Sequence, residues 1–230
     1  MEDLTIVTCN HDTSNLIVNL KHSIEKVCEN IPKILVIDTG NNRMMNMSNI
    51  HLKNTPHGVA VNESFELVKT KYMLLVDSDV LFLKDIKVPF EKFKESGAAL
   101  MGEVVGDRGG KSLYPRVNPW FCFIDLEQLK KHNILFYDKD RTQKSKKTSR
   151  IYDIGSTMFE DVLNSELTIA DVKMEGKYFK HYEGMSWRVQ KYNPNNGDTD
   201  IDIGGTHDNL ALYEYGLKVM EQYEKDIKLI

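Results

Sequence analysis

Two aspartates one residue apart, Asp77 and Asp79, follow directly on an apolar run. A buried strand that ends in paired carboxylates carries an energetic penalty, because like charges repel each other and each is costly to remove from water. A divalent cation would remove that penalty, since carboxylate oxygens suit Mg²⁺ or Mn²⁺, which usually complete their coordination with phosphate oxygens. The alternative is a solvated Asp-Ser-Asp turn without a metal, and the tripeptide alone does not decide between the two.

Polar side chains also follow two earlier apolar runs. The run 4–9 ends in Cys9 and is followed by Asn10 and His11, and the run 33–38 ends in Asp38. Both runs are short and apolar on both faces, which is typical of central parallel strands. Ligands of such sheets bind beyond the carboxyl ends of the strands. We therefore expect the three strand ends to line one crevice.

The alternation of strand-like and helix-like segments predicts an α/β fold, with a Rossmann-like mixed sheet that is mainly parallel and flanked by helices. Strands are predicted over 4–9, 33–38, 50–54, 71–76, 98–105 and 120–124. Helices are predicted over 16–27, 58–70, 126–132, 156–167 and 208–228, with the last one packing across the sheet. Segments rich in glycine or asparagine at 39–48 and 106–111 are predicted loops.

The segment 139–150 is strongly basic and contains almost no apolar residue. Its composition predicts a mobile loop with a solvated face. The alternative is an electrostatic lid over an anionic donor. The cations concerned are Lys139, Arg141, Lys144, Lys146, Lys147 and Arg150.

Composition narrows the class of protein. The chain has 230 residues, 41% of them hydrophobic and 28% charged, with a net charge of -4, so bulk binding of nucleic acid is not expected. A single domain over 1–230 is the default for this length. Three separated cysteines fit neither a disulfide framework nor a zinc site. With no apolar run long enough to span a membrane, a soluble, cytoplasmic protein is expected.

The order of these strand ends resembles the nucleotide-binding half of GT-A-fold glycosyltransferases. The resemblance implies a nucleotide-binding half at 1–80 and an acceptor and sugar half at 81–230. It implies that Asp79 binds the metal directly and that Asp77 is shared between metal and ribose. His57 is either a further nucleotide contact or an ordinary loop histidine. The implied nucleotide-contacting residues are Thr8, Cys9, Asn10, Asp38, Asn62, Asp77 and Ser78.

The second half adds two resemblances to glycogenin-like transferases. The segment 118–126 is similar to the one that those enzymes place beside the sugar, and here Trp120 is either a core aromatic or a platform for the sugar. The segment 181–187 is similar to the late His-x-x-Gly motif, which implies that His181 completes the metal site. His207 is a competing ligand, and Trp187 is a candidate contact for the substrate.

Asp153 precedes a predicted helix, so it is either a helix cap or, by resemblance, the carboxylate that orients the transferred sugar. Glu160 and Asp161 are rival acids. If the reaction inverts the anomeric centre, one of the three must act as general base. We therefore expect Asp153 and Asp161 to be the leading catalytic candidates.

The resemblance implies a glycosyltransferase that uses Mn²⁺ or Mg²⁺. Its donor would be a nucleoside diphosphate sugar, most simply a UDP sugar, and its acceptor a hydroxyl of a glycan or glycoprotein. The short chain also resembles small transferase domains of large DNA viruses and of bacterial glycan-assembly loci. The rivals are a nucleotidyltransferase of the same fold, disfavoured because no glycine follows the first strand, and a noncatalytic glycan-binding module.

Overall fold

The computed structural model describes residues 1–11, 13–40, 49–106, 112–185 and 209–229. Within these ranges seven strands form one mixed sheet in the order β10-β6-β9-β4-β1-β2-β3, and two further pairs, β5 with β11 and β7 with β8, lie beside it. The strands are β1 (Leu4–Asn10), β2 (Lys33–Asp38), β3 (Ile50–His51), β4 (Tyr72–Val76), β5 (Val80–Phe82), β6 (Leu100–Gly102), β7 (Val104–Val105), β8 (Arg116–Val117), β9 (Phe121–Asp125), β10 (Ile169–Asp171) and β11 (Phe179–His181). The helices are α1 (Ser14–Val27), α2 (His57–Leu67), α3 (Lys87–Ser96), α4 (Leu126–Lys131), α5 (Lys139–Ser145), α6 (Ser156–Leu163) and α7 (Asn209–Ile227).

The strands of the first 80 residues pair in parallel within the sheet, as predicted, and β10 also runs parallel to β6. β1 lies between β2 and β4 and runs parallel to both, and β3 continues the sheet beyond β2. Apolar residues cover both faces, with Val7 and Leu75 in one cluster and Ile6 and Leu74 in the other. The carboxyl ends of β1, β2 and β4 therefore lie at one edge of the sheet.

The other part of the sheet is held together by an antiparallel strand. β9 pairs antiparallel with both β4 and β6. Its register sets Phe121 opposite Val76, and the backbone amide of Asp77 donates to the carbonyl of Trp120 at 3.3 Å. The start of β9 thus lies beside the aspartate pair.

Several predicted boundaries differ from the structure. The strand predicted over 50–54 ends at His51, and the helix predicted over 58–70 ends at Leu67. Two further differences are explained by hydrogen bonds. The predicted strand 98–105 divides into β6 and β7 because the amide of Val104 donates to the Asp171 side chain at 2.9 Å rather than continuing the main ladder. The predicted helix 156–167 ends at Leu163. The Ser165 hydroxyl donates to the carbonyl of Val162 at 2.7 Å and accepts from the amide of Leu167, which turns the chain toward β10.

The prediction of a loop over the basic segment is wrong for Lys139–Ser145, which forms α5. Asp138 caps this helix by accepting from the amides of Asp140 and Arg141. Arg141 then donates to Asp161 at 2.7 and 2.8 Å and pairs with Glu160. These acids lie in α6, about twenty positions away, so local composition did not reveal the helix.

Helix α7 is confirmed, but it packs against the β5–β11 pair and α1 rather than across the main sheet. Its Tyr223 packs with Leu16, Leu81 and Tyr182. Asp226 accepts from Lys180 Nζ at 2.5 Å and from the Tyr182 hydroxyl at 2.5 Å. α7 therefore supports the strand that ends at His181. No helix in the described ranges is long and apolar enough to cross a membrane.

Asp226→Asn should loosen this support. Burial acts to raise the pKa of Asp226, but hydrogen bonds from Lys180, Tyr182 and Gln222 hold it below its usual value. Because the pKa of Asp226 is lower in the folded protein than in the unfolded chain, where it is about 3.9, the ionised carboxylate stabilises the fold at pH values above 3.9. This stabilisation is lost as the pH falls through the folded-state pKa. We expect the variant to lose about 1–2 kcal/mol of unfolding free energy at pH 7, and less at pH 3, in urea titrations.

Glu221→Gln on the same helix is the matched control. The Glu221 side chain is 69% exposed. Within the described part of the chain its only ion pair is with Lys225, at i,i+4 and 3.4 Å. Such a pair contributes about 0.3–0.5 kcal/mol. Equal losses in the two variants would contradict a specific role for Asp226.

Candidate active site

A cavity of about 350 Å³ opens at the carboxyl ends of β1 and β4. Its lining includes acids, histidines and one tryptophan. Its lining residues are Cys9, Asn10, His11, Thr39, His57, Asp77, Ser78, Asp79, Trp120, Ile154, His181, Glu183 and Gly184. The predicted crevice between strand ends is therefore present.

Asn10 organises the end of β1. Its side-chain oxygen accepts from the amide of Thr13 at 3.0 Å and from the Thr13 hydroxyl at 2.7 Å, at the start of α1. Its amide nitrogen donates to Asp38 Oδ1 at 3.1 Å. Asp38 is fully buried, also accepts from the amide of Gly40, and does not itself line the cavity. Asn10 thus couples the ends of the first two strands to the first helix.

Asp77, Asp79 and His181 come together on one wall of the cavity. One ligand atom from each lies within 4.8 Å of those of the other two. His181 Nε2 lies 3.3 Å from Asp79 Oδ1, and the two side chains are 7% and 3% exposed. The register explains the meeting, because β11 sets His181 opposite Val80, the residue after Asp79.

The closeness of Asp77, Asp79 and His181 shifts the pKa values of Asp77 and His181. Burial raises the pKa of Asp77; His57 acts against this rise, the charge on Asp79 adds to it, and His181 opposes it. Burial alone would lower the pKa of His181, but the hydrogen bond with Asp79 and the charges of Asp79 and Asp77 raise it. Within the described residues no lysine or arginine forms an ion pair with either aspartate. The Asp-Ser-Asp segment is therefore not a solvated turn.

Trp120 supports the histidine. Its ring stacks on the imidazole of His181 with centroids 4.6 Å apart and planes 17° apart, and the residue is 7% exposed. Next to it, Phe121 stacks on Phe179 at 4.0 Å, which fixes β11 against β9. Trp120 thus has features of both alternatives, since it packs like a core aromatic and also lines the cavity.

Asp153 directly precedes Ile154, which lines the cavity. Its Oδ2 is 3.0 Å from Arg116 Nη2, and its Oδ1 accepts from the amide of Ile154 at 2.8 Å. The Asp153 side chain is 43% exposed, whereas that of Arg116 is 4% exposed. Asp153 does not cap α6, whose N-cap position is Gly155. The buried arginine fixes the carboxylate while leaving it accessible.

The fold of the chain is similar to that of solved structures, although its sequence matches no family model and no curated protein. A scan against models of protein families finds no match, and a search of curated protein sequences finds none either. Among solved structures, S. aureus TarS 1–349 in complex with UDP-GlcNAc aligns with a TM-score of 0.53 and 15% identity, over 78% of this chain and 58% of that one. The glycosyltransferase GlyE of Streptococcus pneumoniae TIGR4 aligns with a TM-score of 0.54 and 11% identity, over 99% of this chain and 64% of that one.

The chain has the GT-A fold. The solved neighbours are GT-A glycosyltransferases, and the chain spans less than two thirds of the length of either one. The Asp-x-Asp segment after β4 and the mainly parallel sheet are the features that the sequence predicted for this fold.

The structure leaves some candidates outside the GT-A crevice. Asn62 exchanges hydrogen bonds with the backbone of Tyr137, at 2.8 and 3.1 Å. Asp161 pairs with Arg141, as described above. Thr8 is fully buried within β1. Trp187 and His207 fall outside the described residues, so only His181 can be placed.

The sequence placed His11 among the strand-end residues expected to line the crevice, and it gave no role to Thr39, Ile154 or Glu183, which also line it. His11 Nδ1 lies 3.2 Å from the Thr39 hydroxyl, which links the ends of β1 and β2. Ile154 directly follows the predicted residue Asp153 in the sequence, and Glu183 comes shortly after the predicted residue His181. Proximity to those residues was the available signal. Arg116 had none, because only the fold brings β8 to Asp153.

The hydrogen bond from Asn10 to Asp38 can be tested by exchanging the amide and the carboxylate between the two positions. Asn10→Asp would set two buried carboxylates against each other, so we expect a loss of about 2–4 kcal/mol of unfolding free energy. Adding Asp38→Asn would again pair one amide with one carboxylate and should recover most of the loss, since position 10 keeps an oxygen acceptor for Thr13 throughout. Urea unfolding of the wild type, both single variants and the double variant measures this coupling. An additive double variant would contradict the contact.

Proposed function

We propose that the chain is a metal-dependent glycosyltransferase that moves a sugar from a nucleoside diphosphate sugar, most simply a UDP sugar, to a hydroxyl of a glycan or protein. The observation that carries this proposal is the convergence of Asp77, Asp79 and His181 on the wall of a cavity at the strand ends. The GT-A fold, shared with glycosyltransferases, supports it. No other described cluster combines metal-ligating chemistry with a cavity.

The donor set fits a divalent cation. Two carboxylates and one imidazole offer hard oxygen ligands and one nitrogen, a mixture that suits Mn²⁺ and is acceptable to Mg²⁺. Asp77 and Asp79 have no lysine or arginine partner among the described residues, so a cation would offset their repulsion. Asp79 and His181, already in contact, would be direct ligands. Asp77 would be shared between the metal and the ribose.

The bound cation would stabilise the negative charge that develops on the departing diphosphate. The protein's own contribution is to hold its ligands in place before the donor arrives. Trp120 keeps the imidazole of His181 parallel to its own ring. The backbone amide of Tyr182 donates to the carbonyl of Asp79 at 2.9 Å, which fixes the strand tip relative to β11.

The remaining assignments follow from position in the crevice. Cys9, Asn10 and Ser78 would contact the nucleotide directly, while Thr8 and Asp38 would shape its pocket from beneath. Asp153, held by Arg116 and partly exposed, would orient the transferred sugar. Asp153 directly precedes Ile154 in the crevice lining, whereas no residue of the helix that carries Asp161 lines the crevice, which favours Asp153 for this role.

The neighbours support the donor class without fixing it. TarS is crystallised with UDP-GlcNAc, so a UDP sugar is the first donor to test. A nucleotidyltransferase of this fold would be expected to have a glycine-rich phosphate-binding loop directly after the first strand. Here β1 leads into Cys9-Asn10-His11, which contains no glycine. A noncatalytic glycan-binding module would have no use for a costly buried acid pair.

Asp79→Asn should abolish metal-dependent binding of UDP. Loss of an outer-shell partner costs about 10–100-fold in metal affinity, so we expect loss of a direct ligand to exceed 100-fold. Isothermal titration of UDP with and without Mn²⁺ measures this. His181→Ala should follow the same pattern, and Glu95→Gln, an exposed acid on α3, is the charge-matched control. UDP binding that is indifferent to Mn²⁺ in the wild type would refute the metal site.

Asp153→Asn should separate turnover from binding. If this carboxylate orients the sugar, its loss should lower kcat of UDP-sugar hydrolysis by roughly 100-fold while the affinity for UDP with Mn²⁺ stays within about threefold. Asp161→Asn is the matched control, since it removes the same charge from another arginine pair. A larger kcat loss in Asp161→Asn would transfer the role to Asp161.

A further inference from the structure

A second cavity, of about 360 Å³, lies outside the crevice, between α5, the turn that follows it and two tyrosines. Its volume is in the range of about 300–1,000 Å³ that is usual for small-molecule sites. Its lining residues are Tyr114, Arg141, Lys144, Ser145, Thr148, Ser149, Arg150 and Tyr152. From the sequence, the basic residues among them were considered only as an electrostatic lid over an anionic donor.

The lining is cationic. Arg141 is neutralised by Asp161 and Glu160. Lys144 and Arg150, in contrast, have no acidic partner in an ion pair within the described part of the chain, and both are exposed. Arg150 Nε donates to the carbonyl of Leu113 at 3.2 Å, which fixes the guanidinium at the cavity edge. Two cations at one cavity would attract an anionic group.

The lining is also aromatic. Tyr114 and Tyr152 meet edge to face with centroids 4.6 Å apart. The Tyr152 hydroxyl donates to Glu160 at 2.8 Å, and the guanidinium of Arg150 lies 5.1 Å from the Tyr114 ring centroid. Both rings are thus held in place and half-buried. A fixed aromatic face beside hydroxyl groups suits a saccharide, which combines an apolar ring face with many hydrogen-bonding groups.

The cavity adjoins the crevice along the chain. Tyr152 lines the basic cavity and Ile154 lines the crevice, with Asp153 between them. Two peptide units separate Tyr152 from Ile154, a distance of at most about 7.6 Å between Cα atoms. A ligand in the basic cavity would therefore lie beside the carboxylate proposed to orient the donor sugar.

We propose that this cavity is the acceptor subsite and that it takes a saccharide bearing an anionic group, either a phosphate ester or a carboxylate. Lys144 and Arg150 bind the anion, and Tyr114 and Tyr152 contact the sugar ring. The acceptor hydroxyl then faces the crevice next to Asp153. This inference rests on the proposed glycosyltransferase function, because an acceptor subsite presupposes a donor.

NMR titration of ¹⁵N-labelled protein with glucose 6-phosphate, glucuronic acid and glucose tests the chemical class. We expect at least one anionic sugar to shift backbone amides in the segment 141–152, and glucose to shift them far less. The two anionic probes distinguish a phosphate from a carboxylate. Inorganic phosphate binding as tightly as glucose 6-phosphate would overturn the saccharide part of the proposal, as would stronger binding of an acidic peptide.

Paired variants locate the site. Lys144→Ala with Arg150→Ala should weaken binding of the preferred anionic sugar by at least tenfold, roughly the value of one hydrogen bond to a charged group. Lys146→Ala with Lys147→Ala is the matched control, since both lysines are exposed in the same turn and neither lines the cavity. Equal weakening by the two double variants would show a diffuse charge effect and overturn the site.

A transfer assay connects the cavity to the reaction. The assay uses a UDP sugar that the protein hydrolyses. The Lys144→Ala and Arg150→Ala double variant should have a KM for the anionic acceptor at least tenfold higher, which is roughly the value of one hydrogen bond to a charged group. Its affinity for UDP with Mn²⁺ should be unchanged. Transfer with an unchanged acceptor KM would overturn the subsite. Saccharide titration without nucleotide probes the cavity alone, and UDP titration probes the crevice alone, so failure of the inference and failure of the proposed function are distinguishable.

Discussion

The repulsion between two carboxylates at the tip of β4 is the constraint around which the rest of the structure is arranged. Asp79 is almost fully buried, and its charge would be costly there without a compensating group. His181 provides that compensation at 3.3 Å. Because the histidine comes from a strand one hundred residues later in the chain, the tip depends on the correct placement of β11.

That placement is secured from three sides. β11 pairs with β5, which directly follows the aspartates. Phe179 stacks on Phe121 at the start of β9, and Trp120, one residue earlier, stacks on His181 itself. On the outer side α7 holds Lys180 and Tyr182 through Asp226. The electrostatic balance of the site is thus maintained by aromatic packing and by one ion pair remote from it.

The sequence revealed what local patterns encode. Apolar runs ending in polar residues predicted β1, β2 and β4 and brought Asn10 and the aspartates to one crevice, because parallel strands share an edge. The features that it missed depend on partners distant in the chain. Arg141 turns a basic segment into a helix by pairing with acids in α6, and Arg116 reaches Asp153 only through the pairing of β8 with β7. Neither pair leaves a periodic signal.

The two halves of the chain differ in how their polar groups are held, and this difference bears on specificity. In the first half, Asn10 and Asp38 are satisfied by each other and by backbone amides close to the strand ends, an arrangement that permits little variation. In the second half, Asp153 and Asp161 each pair with an arginine and remain partly exposed. The Asp161–Arg141 pair is partly exposed on both sides, and such pairs contribute little to stability. Arg116 is buried, so removal of Asp153 would leave a buried guanidinium charge without this partner. In the proposed function, the donor would be recognised at the ends of strands in the sheet, and the acceptor would be recognised by α5, α6 and the segment between them.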